Sequence, residues 1–441
     1  MNSPSNSVLG NPEVLRQTLA SGGQNLARGA ANWWRDAVAV LTGGGPAGAE
    51  RFTPGQSVAV TPGQVVLRNR LIELIQYQPT RARVHPQPVL IVPSWIMKYY
   101  ILDLSPHNSM VKYLLDQGHS VFMISWHNPD ADDRDLGLND YLEQGVFAAL
   151  DAVKRVMPGT GVHAVGYCLG GTLLAIAAAA LAGQSASPLR TLSLLAAQID
   201  FEEPGELGLF IDESQVAFLE DLMAERGYLD GRQLAGAFAL INSKDLVWSK
   251  LVHEYLMGAQ TPLTDLRAWN ADATRLPYRM HSQYLHQLYL NNDFAEGRYT
   301  VRGKPVVASD IRLPVFAVAT ERDHVSPWLS VYKIHLLTDT EVTFVLTSGG
   351  HNVGIVNPAA GPAASRDAMH RVAVHAADAP YQDPQTWLGH ANQRNGSWWP
   401  TWQAWLKSHS SAPVKPKPIG GSGPKRLPAL GQAPGRYVLT A

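Results

Sequence analysis

Cysteine is almost missing: Cys168 is the only one in 441 residues. An internal disulfide and a multi-cysteine zinc site are excluded at once. Charge of either sign is scarce and balanced, with 36 Lys and Arg against 37 Asp and Glu. That leaves no electrostatic footprint for nucleic acid. The opening, Met1-Asn-Ser-Pro-Ser-Asn-Ser7, lacks a basic stretch followed by an apolar one, so no export signal is read and the cytoplasm is the expected compartment. The apolar stretch Leu173–Ala182 is too short to cross a bilayer, so no transmembrane segment is expected. No glycine-rich phosphate loop and no metal constellation stand out, so neither a metal nor a bound cofactor is expected. What is present is an ordinary globular composition, 45% apolar and 17% charged, with a length that allows one large domain plus an insertion, or two domains.

The lone cysteine sits in a telling place. Gly161-Val-His-Ala-Val-Gly-Tyr-Cys-Leu-Gly-Gly171 reads as a strand and a sharp turn, followed by an apolar helix over 172–182. Its centre, Gly166-Tyr-Cys-Leu-Gly170, is the G-x-S-x-G pattern with cysteine in place of serine. Such an elbow lifts a nucleophile above a sheet, and its flanking glycines permit the strained backbone. A buried cysteine acting only as a small apolar filler is the alternative.

The remaining pattern agrees with that placement. Strands are expected at 58–61, 64–67, 71–77, 89–93, 121–126, 162–167, 192–197 and 314–320, with 342–346 as the last. Helical stretches at 107–117, 139–156 and 172–182 separate several of them. This alternation predicts a mainly parallel sheet covered by helices, the α/β-hydrolase fold, with an inserted and mostly helical cap. Residues 1–50 read as a helical N-terminal segment. Asn11-Pro12 starts it, and Leu15, Leu19, Leu26, Trp33 and Trp34 give it an apolar surface that docks or covers. The first part of the core spans 51–200, the cap 201–305, and the second part of the core 306–407. Within the cap, Glu213–Arg226 and Leu234–Ile241 look helical. A tail over 408–441, rich in Pro, Gly and Lys, is expected to be extended or mobile.

A thiol nucleophile needs a base, and the base needs an orienting acceptor. In this fold the acid and then the histidine follow the nucleophile, each on a loop after a late strand. Asp323 follows strand 314–320 in Glu321-Arg-Asp-His-Val-Ser-Pro327, and His351 follows strand 342–346 in Thr347-Ser-Gly-Gly-His-Asn-Val-Gly354. The oxyanion donors are expected from the N–H of Leu169 and from the loop after 89–93, at Trp95 or Ile96. His324, Asp130 and Trp248 are weaker candidates for substrate contacts. For Asp130 the turn-forming role in Asn128-Pro-Asp130 is the stronger reading.

Further stretches carry a resemblance. Lys98-Tyr-Tyr-Ile-Leu-Asp-Leu104, Gly118-His-Ser-Val-Phe122, Asp245-Leu-Val-Trp248 and Trp269-Asn-Ala-Asp-Ala-Thr274 stand in order with Gly396-Ser-Trp-Trp-Pro400 and Pro434-Gly-Arg-Tyr-Val438. Together with the elbow they make the chain resemble the poly(3-hydroxyalkanoate) synthases over nearly its whole length. The resemblance implies an acyltransferase with Cys168 as the acylated nucleophile and Asp323 and His351 as its partners. It implies (R)-3-hydroxyacyl-CoA as substrate, with coenzyme A entering only as part of that thioester. A growing polyester chain or granule surface and a second copy of the chain, as a homodimer, are the implied partners. The familiar members carry a longer N-terminal domain, associated with granule attachment and assembly. The oxyanion region reads Pro93-Ser-Trp-Ile-Met-Lys98 against the usual Pro-Pro-x-Ile-Asn-Lys, so Trp95 and Met97 are expected to reshape the acyl entrance. The histidine loop reads Gly-Gly-His-Asn-Val-Gly in place of Ser-Gly-His-Ile-Ala-Gly, which marks a divergent branch. A thioesterase or polyester depolymerase of the same fold is the nearest rival, and a non-catalytic granule-associated subunit the second.

Overall fold

The structure, a computed structural model, describes residues 7–8, 10–41, 45–183, 187–231, 233, 248–260 and 262–440. The chain divides into two compact units, one formed by Met1–Thr53 with Gly231–Ala273 and the other by Pro54–Asp230 with Thr274–Ala441. The stretch expected as one cap at 201–305 is thus shared between the two. Its expected helix Leu234–Ile241 lies outside the described residues.

In the smaller unit the expected single helix is two, α1 (Pro12–Ala20) and α2 (Gln24–Leu41). Gly22 and Gly23 adopt φ of 58° and 83° between them and break the run. Asn11 caps α1 by accepting from the N–H groups of Glu13 and Val14. Helix α2 is oriented against its amphipathicity. Its polar stripe faces inward, where Asn25 Nδ2 donates to the Leu256 carbonyl at 2.7 Å and Asn32 Nδ2 to the Glu254 carbonyl at 3.0 Å. Asp36 pairs with Lys250 at 2.6 Å and accepts from the Tyr255 hydroxyl at 2.8 Å. Trp33, Trp34, Val38 and Leu41 are left exposed.

The larger unit is built on a ten-stranded sheet. Its strands are β1 (Gly63–Arg68), β2 (Ile72–Tyr77), β3 (Val89–Val92), β4 (Val121–Trp126), β5 (Val162–Tyr167), β6 (Leu189–Leu195), β7 (Val315–Thr320), β8 (Val342–Thr347), β9 (Met369–His375) and β10 (Asn392–Asn395). The order across the sheet is β1-β2-β4-β3-β5-β6-β7-β8-β9-β10. Strands β3 to β8 run parallel, and antiparallel pairs close both edges. Strands β3, β4, β5, β7 and β8 are buried at every position, as continuous apolar runs covered on both faces must be.

Two strand expectations are corrected. Residues 58–61 form no strand: Ala59 turns to φ 52° and its N–H donates to the carbonyls of Asp103 and Leu104. Residues 342–346 are also not the last strand, because β9 and β10 follow antiparallel. Strand β10 is exposed throughout, so no apolar run announced it.

The tail is extended and fixed along the unit. Val414 bridges to Val84, Gly420 N–H donates to Gln76 Oε1 at 2.8 Å, and Leu430 N–H donates to the Val65 carbonyl at 2.8 Å. Among the described residues no helix is long and apolar enough to cross a membrane.

Candidate active site

The site begins at the carboxyl end of β5, at the centre of the sheet. Cys168 holds φ 52° and ψ −129° at the N-cap of the helix Leu169–Ala182, a conformation that costs a side-chain-bearing residue about 1–3 kcal/mol. The surroundings enforce it. Cys168 N–H donates to the Leu195 carbonyl at 2.9 Å, and Gly171 N–H donates back to the Cys168 carbonyl at 2.8 Å. A Cβ at Gly166 would lie 2.3 Å from Gly171 Cα, and one at Gly170 would lie 2.2 Å from the Val92 carbonyl oxygen. Both glycines are therefore required by the close approach of strand, elbow and helix.

Strands β7 and β8 bring the other two predicted residues to the same end of the sheet. Asp323 has no exposed side-chain surface. Its Oδ1 accepts from the N–H groups of Val325 and Ser326 at 2.9 and 2.8 Å, and its Oδ2 from Thr320 Oγ1 at 3.0 Å. His351 Nδ1–H donates to the same Oδ2 at 2.8 Å. This fixes the ring and leaves Nε2 for the thiol, and the Cys168 side chain is within hydrogen-bonding reach of His351. Burial alone would raise the Asp323 carboxyl, but the His351 charge and the N–H donors hold it below the usual range. Burial alone would lower His351, but Asp323 and Cys168 hold the imidazolium well above the ordinary histidine range.

An aromatic cluster links Trp95 to Tyr284 and Tyr289. Trp95 meets Tyr141 at 5.4 Å and Tyr284 at 6.4 Å between ring centroids, and Tyr284 meets Tyr289 at 5.2 Å. The phenols of Tyr284 and Tyr289 are kept protonated by burial first and by the nearby Cys168 as a further cause.

Of the expected oxyanion donors, Ile96 N–H donates to Ser94 Oγ at 3.3 Å. Among the described residues the N–H groups of Leu169 and Trp95 have no acceptor, which leaves these two the freer.

A model of the poly-beta-hydroxybutyrate polymerase (PhaC) N-terminus matches residues 1–114, and one of the alpha/beta hydrolase fold matches residues 87–358. The poly(3-hydroxyalkanoate) polymerase of Methylorubrum extorquens is 42% identical over 99% of this chain and 71% of its own length. The polymerase subunit PhaC of Rhizobium meliloti is 37% identical over 99% of this chain and 70% of its own. That of Cupriavidus necator is 37% identical over 99% and 73%. The chain belongs to the poly(3-hydroxyalkanoate) polymerase family. It is an acyltransferase on the α/β-hydrolase fold.

The weaker site candidates of this polymerase have the following surroundings. His324 Nδ1 engages Glu206 Oε1 at 3.0 Å, with half of its side chain exposed. Asp130 is an exposed cap that accepts from Asp132 N–H at 2.9 Å, the turn role its sequence allowed. Trp248 belongs to the smaller unit, whereas the Cys168, Asp323 and His351 set belongs to the larger. One group with metal-ligand atoms close together occurs among the described residues: His127, Asp130 and Asp133. Arg70 already supplies it with a cation, its Nε standing 2.8 Å from Asp133 Oδ1.

Several supporting residues carried no role in the sequence reading. The Tyr167 hydroxyl donates to Asn352 Oδ1 at 2.6 Å, tying the elbow to the histidine loop. Trp398 Nε1–H and Trp399 Nε1–H donate to the carbonyls of Gly354 and Ile355, each at 3.0 Å, and so brace that loop from behind. Thr274 Oγ1 binds the Trp95 carbonyl at 2.8 Å. Paired tryptophans in Gly396-Ser-Trp-Trp-Pro400 were the available signal for the second of these, since buried indole N–H groups need acceptors.

Proposed function

We propose that this polymerase joins (R)-3-hydroxyacyl units from their coenzyme A thioesters through a covalent thioester on Cys168. The observation that carries the reading is the Cys168 thiol at a strained elbow beside a His351 ring already bonded to Asp323. His351 Nε2 takes the thiol proton, and the thiolate attacks the acyl-CoA carbonyl carbon. The N–H groups of Leu169 and Trp95 receive the developing oxyanion. The C–S bond to coenzyme A breaks, and its sulfur leaves with the proton that His351 returns. The 3-hydroxyl of a further unit then loses its proton, attacks the acyl carbon and forms an ester as the bond to Cys168 Sγ breaks. Both Asp323 oxygens are occupied by donors, which favours His351 as the base in each half-reaction. Thioester exchange between thiols is nearly balanced in energy, which suits a cysteine to this task better than a serine. No cofactor is needed beyond the coenzyme A of the substrate.

The outward apolar face of α2 supports a place at the surface of the polyester, and activity as a homodimer is part of the same reading. The test supplies purified protein with (R)-3-hydroxybutyryl-CoA and follows free coenzyme A and the acyl product together, with Cys168→Ala as control. High-mass polyester lost in the variant is the expected result. Free 3-hydroxybutyrate alone would make the protein a thioesterase and overturn the reading.

A further inference from the structure

The loop that carries Trp95 is anchored at both ends, and one anchor comes from more than 300 positions away in sequence. Lys98 is 4% exposed, and its ammonium donates to the Thr440 carbonyl. The same carbonyl accepts from Asn128 Nδ2 at 3.3 Å. Asn128 Oδ1 in turn accepts from Arg275 N–H at 2.8 Å, and the preceding residue, Thr274, binds the Trp95 and Ile96 carbonyls through its hydroxyl. The circuit runs from the 93–98 loop through Lys98 to Thr440, on to Asn128 and Arg275, and back to the loop through Thr274.

The segment 434–440 has a built seat of its own. Glu73 is fully buried, and its Oε2 accepts from the N–H groups of Arg436 and Tyr437 at 2.7 and 3.0 Å, while Oε1 pairs with Arg68. The Tyr437 hydroxyl donates to the Asn69 carbonyl at 2.5 Å. Gly435 holds φ 86°, and a Cβ there would lie 2.3 Å from Glu73 Oε2, so only glycine passes this point. Glu73 and Asn69 lie at the start of β2, the second strand from one edge of the sheet, which supplies nothing to the catalytic set. A buried carboxylate and a buried lysine thus fix the two ends of one short segment, and its last described carbonyl lies on the loop of the proposed oxyanion donor.

We infer that residues 434–440 are a positioning element for this polymerase, acting through Lys98 to hold the Trp95 N–H in register with the thioester carbonyl. The inference rests on the proposed reading that Cys168 is acylated and that Trp95 N–H receives the oxyanion. A displacement of about 1 Å in such a donor costs on the order of 100-fold in rate. The triad is held separately, through β5, β7, β8 and the Trp398–Trp399 brace, so unseating the segment should spare thiol activation.

Substitutions at Gly435 and at Lys98 test this. Gly435→Ala drives the segment off Glu73 without touching the loop, and Lys98→Met removes the ammonium, with Lys98→Arg as the conservative rescue. Acylation is read as the burst of coenzyme A and the acyl-enzyme mass from (R)-3-hydroxybutyryl-CoA. Thiol activation is read as the pH profile of Cys168 alkylation by iodoacetamide. The expected result is a fall of about 10- to 100-fold in the acylation rate constant for Gly435→Ala and Lys98→Met. The alkylation profile and KM should stay near wild type, and Lys98→Arg should recover part of the loss. Hydrogen exchange at Arg436 and Tyr437 should rise in Gly435→Ala. Wild-type acylation in a Gly435→Ala protein with that raised exchange would overturn the inference. So would alkylation falling in parallel with acylation. Absence of any acyl-enzyme in the wild-type protein would instead overturn the parent reading, and the inference with it.

Discussion

The Tyr167 hydroxyl donates to Asn352 Oδ1 at 2.6 Å, joining the residue before the elbow cysteine to the residue after the loop histidine. The two rings Tyr167 and His351 also lie 5.6 Å apart between centroids. A bond between their neighbours thus ties the elbow to the histidine loop, in addition to the Asp323 contact that holds the His351 ring. Tyr167→Phe keeps the ring and removes the bond. The expected outcome is a loss of about 1 kcal/mol in stability together with a fall of about tenfold in acylation rate, read by thermal denaturation and burst kinetics. A stability loss with unchanged acylation would show that the loop holds its place without this bond.

Asp323→Asn tests the ion pair. In the wild type the buried carboxylate holds His351 protonated well above its ordinary range, against the effect of burial. The amide removes that charge and leaves burial, which lowers the imidazole. The charged imidazole that faces the thiol is weakened, so alkylation of Cys168 by iodoacetamide at neutral pH should slow. Acylation should fall by about 10³- to 10⁴-fold. The pair also carries stability with a definite sign. The Asp323 part is present above the ordinary carboxyl range and lost as pH falls through its lowered pKa. The His351 part is fully present below about 6.5 and lost as pH rises through its raised pKa. The stability difference between wild type and Asp323→Asn should therefore be largest between those limits and shrink on either side.

How far the sequence reached follows from where its signals were strong. Fully buried parallel strands write themselves as apolar runs, so β3, β4, β5, β7 and β8 were legible within a residue or two. The order of those strands then pointed to Asp323 and His351, and the structure brings both to the elbow. Strands β9 and β10 were not legible, because β9 is only partly buried and β10, Asn392-Gln-Arg-Asn395, is exposed throughout, so neither has a continuous apolar run to read. The apolar positions of α2 were legible as a stripe, but the stripe did not reveal that Asn25, Asn32 and Asp36 would take the inward side. The seat of residues 434–440 was invisible for another reason: it depends on Glu73, hundreds of residues away, and no local pattern encodes such a pairing.

That inverted helix gives the third prediction. Trp33 and Trp34 are 53% and 66% exposed, so replacing both with serine should change stability by no more than about 0.5 kcal/mol. If this face meets the polyester, the double variant should fail to co-sediment with amorphous poly(3-hydroxybutyrate) particles while releasing coenzyme A at the wild-type rate from soluble substrate. Retained co-sedimentation would assign the attachment to another surface.

A buried histidine contributes to the acid sensitivity of the fold. His119 is fully buried at the start of β4, with neither ring nitrogen bonded among the described residues. Its ring lies 5.0 Å from that of His85. Burial first, and His85 second, push its pKa down to about 3. The sign follows directly. In the unfolded chain this histidine binds a proton below about 6.5, whereas in the folded protein it stays neutral until about 3. Unfolding therefore takes up a proton across that window, and stability falls as pH drops, by up to about 1.4 kcal/mol per pH unit for this residue alone. Between pH 6.5 and 5 the cost is about 2 kcal/mol. A nonpolar replacement, His119→Leu, cannot take up that proton. Its urea midpoint should fall less steeply than that of the wild type between pH 7 and 5, whatever its stability at pH 7. Parallel midpoints for the two proteins over that range would show that His119 is protonated, or reached by water, in the folded state.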